Sequence, residues 1–374
     1  MPNSAPLGRL AALLALVVAA CLATLAAPAA AQPATTTATV PGDFVGMTTE
    51  DVFVGDSAYR SQNLSSQRNM GVGIIRQTFD WSQIELSPGQ YEFGFHDNYV
   101  ATLAQQGMRV LPVLFRPPSF RLGRTSGRAA CPPASLDSFG AFARALVARY
   151  GPNGSLWRER PSLPKVPIRS WQIWNEPSLN IYWCGKANAR EYVQMLRVVG
   201  GAIKQADKDA EIVTAGIPPS KLKSAVPIDR YIKRMYRARA RRYFDTMAIN
   251  SYAKDSRELK TLMRSIRRIM NRRKDRRAPI WITELGWGDT GHTHRFIVGP
   301  EGQANRIRSS FKTIRRIRRK LRLRGVVYFT WRDAKPYPPL YQNMWGLHTG
   351  LLDENLQPKP AFWAFRDAAA ALRP

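Results

Sequence analysis

Two stretches decide the fold: Ile168-Arg-Ser-Trp-Gln-Ile-Trp174-Asn175-Glu176-Pro177 and Pro279-Ile-Trp-Ile-Thr283-Glu284-Leu285-Gly286-Trp287. Each is a short apolar run rich in β-branched and aromatic residues, the pattern of a strand covered on both faces. Each ends abruptly in a glutamate. The same kind of run recurs along the chain. Strands are predicted at Phe44–Met47, Gly73–Phe79, Arg109–Phe115, Ile168–Trp174, Glu211–Gly216, Tyr243–Asn250, Pro279–Thr283 and Gly325–Trp331. Helical spacing of apolar residues lies between and after them, at Ser61–Met70, His96–Gln106, Leu136–Tyr150, Ala187–Gln205, Asp229–Arg239, Ser256–Arg273, Glu301–Leu321 and Lys359–Leu372. Strands alternating with helices imply a parallel sheet. Eight repeats without a break in composition predict a closed α/β architecture, a (β/α)₈ TIM barrel in one domain over 42–374. No G-x-G-x-x-G follows the first strand, so an open dinucleotide-binding sheet has no support.

A barrel of this kind keeps its chemistry at the C-terminal ends of its strands. Polar and aromatic residues accumulate there: Arg76 to Trp81 after the second strand, Asn175-Glu176 after the fourth, Asn250-Ser251-Tyr252 after the sixth, Glu284 to Trp287 after the seventh and Trp331-Arg332-Asp333 after the eighth. An acid just past a buried strand is costly without a role or a partner. Strands four and seven face each other across an eight-stranded mouth, so Glu176 and Glu284 can flank one sugar carbon. That pair of carboxyls is what glycosidic bond cleavage requires. The bland alternative, a salt bridge to one of 56 Lys/Arg side chains, is available to either glutamate alone and is harder to sustain for both.

Trp174-Asn175-Glu176-Pro177 resembles the WNEP signature of the retaining glycoside hydrolase clan that carries its catalytic glutamates on strands four and seven of a (β/α)₈ barrel. Ile282 to Trp287 resembles that clan's nucleophile strand. The segment Trp81 to Phe93 and the segments Gly350–Asp353 and Lys359–Phe365 resemble the β-xylosidase/α-L-iduronidase and cellulase families, so the likeness runs over roughly residues 44 to 370. The resemblance implies hydrolysis of a β-linked glycan with Glu176 as general acid/base and Glu284 as nucleophile. It also implies that Asn175 binds a sugar hydroxyl, Tyr252 and Arg76 support the nucleophile, and Trp331 stacks on the cleaved sugar. Trp81, Trp183, Trp287 and Trp345 could extend the groove or pack in the core. The chain departs from its relatives at strand six, where Asn250-Ser251-Tyr252 replaces His-x-Tyr, and after strand three, where Arg116 to Phe120 is poor in aromatics. A non-catalytic carbohydrate- or wall-binding barrel is the competing reading.

The remaining features bear on location and partners. Residues 1–31 read first as a signal peptide with Ala29-x-Ala31 before Gln32; Val18 to Cys21 also resembles a lipoprotein box, and the apolar run is long enough for an uncleaved anchor. All three place the domain outside the cytoplasm, and 32–41 reads as a linker. Cys131 and Cys184 fall in the loops after strands three and four, on one barrel face, so they are expected to pair, with two free thiols as the alternative. The chain carries a formal net charge of +29. Its densest basic stretches, Arg306–Arg324 and Lys260–Arg277, have helical spacing, so they are expected on outer helices away from the mouth. They are either solvated faces or a means of attraction to an anionic surface. No nucleic-acid-binding motif accompanies them. His292-x-His294 lacks a third ligand, so no metal and no cofactor is called for. The expected partner is an oligo- or polysaccharide, and the expected state a monomer.

Overall fold

The apolar runs do become strands, because their side chains find the core on both faces. Eight parallel strands, β1 Val45–Thr48, β2 Ile74–Asp80, β3 Arg109–Phe115, β4 Ser170–Ile173, β5 Glu211–Thr214, β6 Met247–Asn250, β7 Ile280–Leu285 and β8 Leu323–Tyr328, alternate with eight helices. The helices are α1 Ser57–Asn69, α2 Gly94–Gln105, α3 Leu136–Tyr150, α4 Ala189–Ala206, α5 Ile228–Arg237, α6 Ser256–Arg272, α7 Pro300–Leu321 and α8 Pro360–Ala370. This computed structural model describes residues 42–123, 130–292, 294–334 and 344–372. The leader and linker expected over 1–41 lie outside the described residues. Among the described residues no helix is long and apolar enough to cross a membrane.

The strands pair in the order β5-β4-β3-β2-β1-β8-β7-β6. The remaining seam, β5 to β6, is closed by Val213 pairing with Thr246, with Thr214 N–H donating to the Thr246 carbonyl at 3.0 Å. The sheet is thus a nearly closed barrel, as the alternation predicts. Short additions decorate it, notably a hairpin of Glu85–Ser87 with Gln90–Tyr91 after β2.

Side-chain alternation sorts each strand into an inner and an outer row. The inner row of the barrel holds Ile74, Leu111, Val213, Ala248 and Trp281 as a small apolar layer of its own. Below it, at the N-terminal end, Arg324 lies 4.6 Å over the Trp281 ring and pairs with Asp43 at 2.8 Å. Asp43 also pairs with Arg109 at 2.9 Å. Above it, at the C-terminal end, lie the polar residues described below. The outer rows pack on the helices in one large core. The basic stretches fall on α6 and α7, the outer layer. In α7, Ile307, Phe311, Ile314, Ile317 and Leu321 are buried while Arg308, Lys312, Arg315 and Arg316 between them are exposed.

Cys131 and Cys184 form the expected disulfide, with Cα atoms 4.5 Å apart. It ties the loop after β3 to the loop after β4, closing a separation of 53 residues. On the chain-entropy account such a closure stabilises by roughly 4 kcal/mol.

Candidate active site

Strand parity puts Arg76 on the inner row of β2, two residues above Ile74. Its guanidinium, 6% exposed, is the hub of the mouth. Nε donates to Gln172 of β4 at 2.7 Å, Nη1 to Glu284 Oε1 at 2.8 Å and Nη2 to Asn175 Oδ1 at 2.9 Å. Three strands are therefore oriented by one planar fork, which suits arginine and not lysine. Glu284, in the last turn of pleat of β7, receives a second hydrogen bond on Oε2 from the Tyr252 hydroxyl. Burial, and then the charge of Glu284, hold that phenol well above its ordinary pKa, so it stays a donor. The carboxylate of Glu284 is thus met by a cation on one oxygen and a neutral donor on the other.

Glu176 has the opposite surroundings. It is 8% exposed and its Oε1 accepts from Asn250 Nδ2 at 2.8 Å. Among the described residues no cation pairs with it. Burial, and next the charge of Glu284, push its carboxyl up to about 8. It therefore favours its protonated form at neutral pH beside the ion-paired Glu284, a difference that the unlike surroundings of the two carboxyls produce. Asn250 is itself held, its Oδ1 accepting from Thr283 Oγ1 at 2.8 Å. Gly216 leaves room for it, since a Cβ there would lie 1.9 Å from Asn250 Oδ1.

The backbone at the end of β4 is strained. Trp174 and Glu176 both have positive φ, 74° and 45°, on either side of Asn175. Each such residue costs roughly 1–3 kcal/mol and persists only when its surroundings over-determine it. Trp174 supplies the clamp: it is fully buried, its N–H donates to the Leu114 carbonyl at 3.0 Å and its Nε1 to the Tyr182 carbonyl at 2.8 Å. The strain turns Asn175 toward Arg76 and Glu176 toward Asn250. At the end of β7 the same job is done by Gly286 and Trp287. A Cβ on Gly286 would meet the Phe329 carbonyl oxygen at 2.1 Å, and Trp287 Nε1 donates to the Ala253 carbonyl at 2.7 Å. These two residues pin the end of β7 to the loops after β8 and β6.

Three tryptophans read as groove-lining are instead core. Trp81 is fully buried and stacks on Phe139 and Phe142 at 5.1 and 5.0 Å. Trp287 is fully buried against the β6 loop. Trp331 is 1% exposed, with Nε1 donating to Asn63 of α1 at 2.8 Å. Its displacement follows from strand length: β8 ends at Tyr328, three residues before the predicted end, so Trp331 falls in the returning loop and turns outward. Phe329, half-buried and just past the end of β8, lies beside the site, 6.4 Å from the Tyr252 ring. Trp183 is also core at 1% exposed. Trp345 alone of the four uncertain tryptophans reaches the mouth, its ring 4.7 Å from Tyr252. Phe296 and His294 join it, with His294 stacked on Trp345 at 5.9 Å. Among the described residues no group of three or more His, Cys, Asp or Glu is arranged to hold a metal ion.

No protein-family model matches the chain, and no curated protein matches it. Solved structures do. A family 39 glycoside hydrolase from Bacteroides cellulosilyticus WH2 superposes with a TM-score of 0.64 at 18% identity, covering 89% of this chain and 64% of that one. A family 39 β-xylosidase from Caulobacter crescentus gives 0.64 at 18% identity, covering 89% and 72%. Xylanase 10B from Thermotoga petrophila RKU-1 gives 0.60 at 16% identity, covering 88% and 94%. The likeness is one of fold. The shared fold is the (β/α)₈ barrel, and the chain spans under two thirds of the length of the first of these structures.

Gln172 and Phe329 are site residues that the sequence reading did not name, and Asn250 entered it only as the departure at strand six. Gln172 and Asn250 are polar residues inside apolar strands, and that mismatch was their signal.

Proposed function

We propose that the protein is a glycoside hydrolase that cleaves a β-linked glycan or glycoside with retention of configuration. The observation that carries this reading is the asymmetry of the two carboxyls: Glu284 is ion-paired to Arg76 and bonded by Tyr252, while Glu176 is held neutral. Glu284 is ready to attack the anomeric carbon. The Oε2 of Glu176, without a hydrogen-bond partner among the described residues, is ready to give its proton to the leaving oxygen. Attack turns the Glu284 carboxylate into an ester and removes its charge. That loss lowers the pKa of Glu176, which then serves as the base that activates water. Asn175, whose Oδ1 is taken by Arg76, keeps its amide N–H groups for a sugar hydroxyl. Stacking falls to Trp345 and Phe329, since Trp331 is packed away.

Substitution separates this from a binding protein without turnover. Glu176→Ala should retain cleavage of aryl glycosides with good leaving groups, which need no proton, and lose alkyl glycosides. Azide should restore turnover with retained configuration. Glu284→Gly should lose both substrate types, and azide should give an inverted product. Equal leaving-group dependence in the two variants would remove the proposed roles.

We further infer an extracytoplasmic location, supported by the disulfide and the leader-like 1–31 segment, and attraction of the α6 and α7 faces to an anionic surface. That attraction should weaken with salt, since exposed charges are screened.

A further inference from the structure

Away from the mouth, the wall formed by α4 and α5 carries a recess of about 700 Å³ lined by Arg190, Arg197, Arg234, Arg237 and Arg239. It continues at one end into a second concavity of about 570 Å³ that shares Arg190 and Arg234 and adds Lys186. At the other end Arg239 is shared with a third of about 450 Å³, to which Arg241, Arg242 and Arg273 contribute. The three form one trough. Its arginines are exposed, and among the described residues none of them makes an ion pair. The one acid in the lining, Glu191, is already engaged by Trp183 Nε1 at 3.0 Å and Asn188 Nδ2 at 2.8 Å.

So many unpaired guanidiniums facing each other repel. The fold holds them together through the packing of α4 on α5 and a turn in which Arg239 takes a left-handed φ of 65°. Arg190 and Arg197 stand two turns apart on one face of α4, a spacing of about 10 Å. Guanidinium forks set at intervals in a recess match a linear chain bearing carboxylates at intervals, each of which can be bound by two parallel N–H bonds. A planar bilayer cannot enter a trough between helices. A single-stranded nucleic acid would need stacking platforms, and the half-buried Tyr243 and buried Tyr236 are the only aromatic residues in the three linings. One end of the trough, Lys186, lies on the β4–α4 loop that also carries Glu176.

We propose that this trough is an auxiliary binding site for an acidic polysaccharide chain, which holds the enzyme on a carboxylated glycan. The choice of glycan over other polyanions rests on the proposed function; the binding itself does not.

The test uses the full domain as wild type and as Glu284→Gln, so that binding is read without turnover. The probes are a fluorescent oligogalacturonate, a neutral oligoxylan of equal length, phosphatidylglycerol vesicles and duplex DNA. Oligogalacturonate should bind in preference to the other three, less tightly at higher salt, and equally to both proteins. Arg190→Gln/Arg197→Gln/Arg237→Gln should weaken it about tenfold, and lysine at the same three positions should recover part of the loss. Arg308→Gln/Lys312→Gln/Arg315→Gln on α7 removes the same charge and should change it by less than about twofold. Equal weakening by the two triple sets, no oligogalacturonate binding, or preference for vesicles or DNA through the α4–α5 arginines would each overturn the proposal. Failure of the enzyme to hydrolyse any glycan would leave this binding result standing, so the two readings fail separately.

Discussion

The two ends of the barrel both bury charge, and they balance it differently. At the N-terminal end Asp43 and Glu211 meet Arg324 and Arg109, and Glu211 also accepts from Ser170 at 2.6 Å. Each charge there has its opposite, and Asp43, despite the cost of burial, is held below its ordinary pKa by Arg324. At the C-terminal end two buried glutamates face one guanidinium, Arg76. One of them cannot be ionised cheaply, and it is Glu176. A balanced cluster is a plug. An unbalanced one is a proton store, kept in place by strain at Trp174 and Glu176.

Breaking each end should therefore have different consequences. The largest effect on rate is expected for Glu284→Gln, a loss of about five orders of magnitude in kcat on activated and unactivated substrates alike, read by initial rates. Next is Arg76→Met, which strands a buried carboxylate. It should lower stability by about 3 kcal/mol and turnover by about a thousandfold. Arg324→Met at the other end should cost somewhat less stability, about 2 kcal/mol, because Asp43 loses its buried partner and keeps only the exposed Arg109, and should leave kcat/KM within about twofold below the melting transition. Matched denaturation curves and rates on the two variants decide whether the ends are distinct.

Glu176→Gln sharpens the same contrast through pH. The folded-state pKa is raised, from an ordinary value of 4.5 to about 8. The protonated side chain's contribution is fully present below about pH 4.5 and is lost as pH rises toward 8. A glutamine does not titrate, so the variant should gain on the parent over that window, by about 3 kcal/mol near pH 7. For a domain of this size that is about 4 °C in Tm. An advantage that is the same at pH 4 and pH 7.5 would mean that the acid is not held neutral. The smallest effect is expected for Asn250→Ala. Its hydrogen bond lowers the pKa of Glu176, so removing it should move the alkaline limb of the kcat/KM profile to higher pH.

How much was legible in the sequence divides along the same lines. The strands were, because an apolar run bounded by helical patterns has few other readings, and Leu136–Tyr150 was located to the residue. The two glutamates were placed by their motifs. The tryptophans were not. An aromatic just past a strand end can face the cleft or the helix layer, and alternation stops where the strand stops. Trp331 was misplaced because β8 ends at Tyr328, and Trp81 because its segment folds back onto α3. The arginine trough was invisible for another reason. Arg190 and Arg234 belong to separate helices, and only packing makes them neighbours.

The central claim is that Glu284 forms a bond to sugar while Glu176 moves the proton. The most direct measurement is to incubate the protein with a panel of 2-fluoro-β-glycosides of xylose, glucose and mannose with good leaving groups, then digest it and map the labelled peptide by mass spectrometry. The account predicts a single fluorosugar adduct on Glu284, absent from Glu284→Gln and retained in Glu176→Ala. An adduct on Glu176, or turnover of the unfluorinated aryl glycoside with inverted product and no adduct at all, would contradict it.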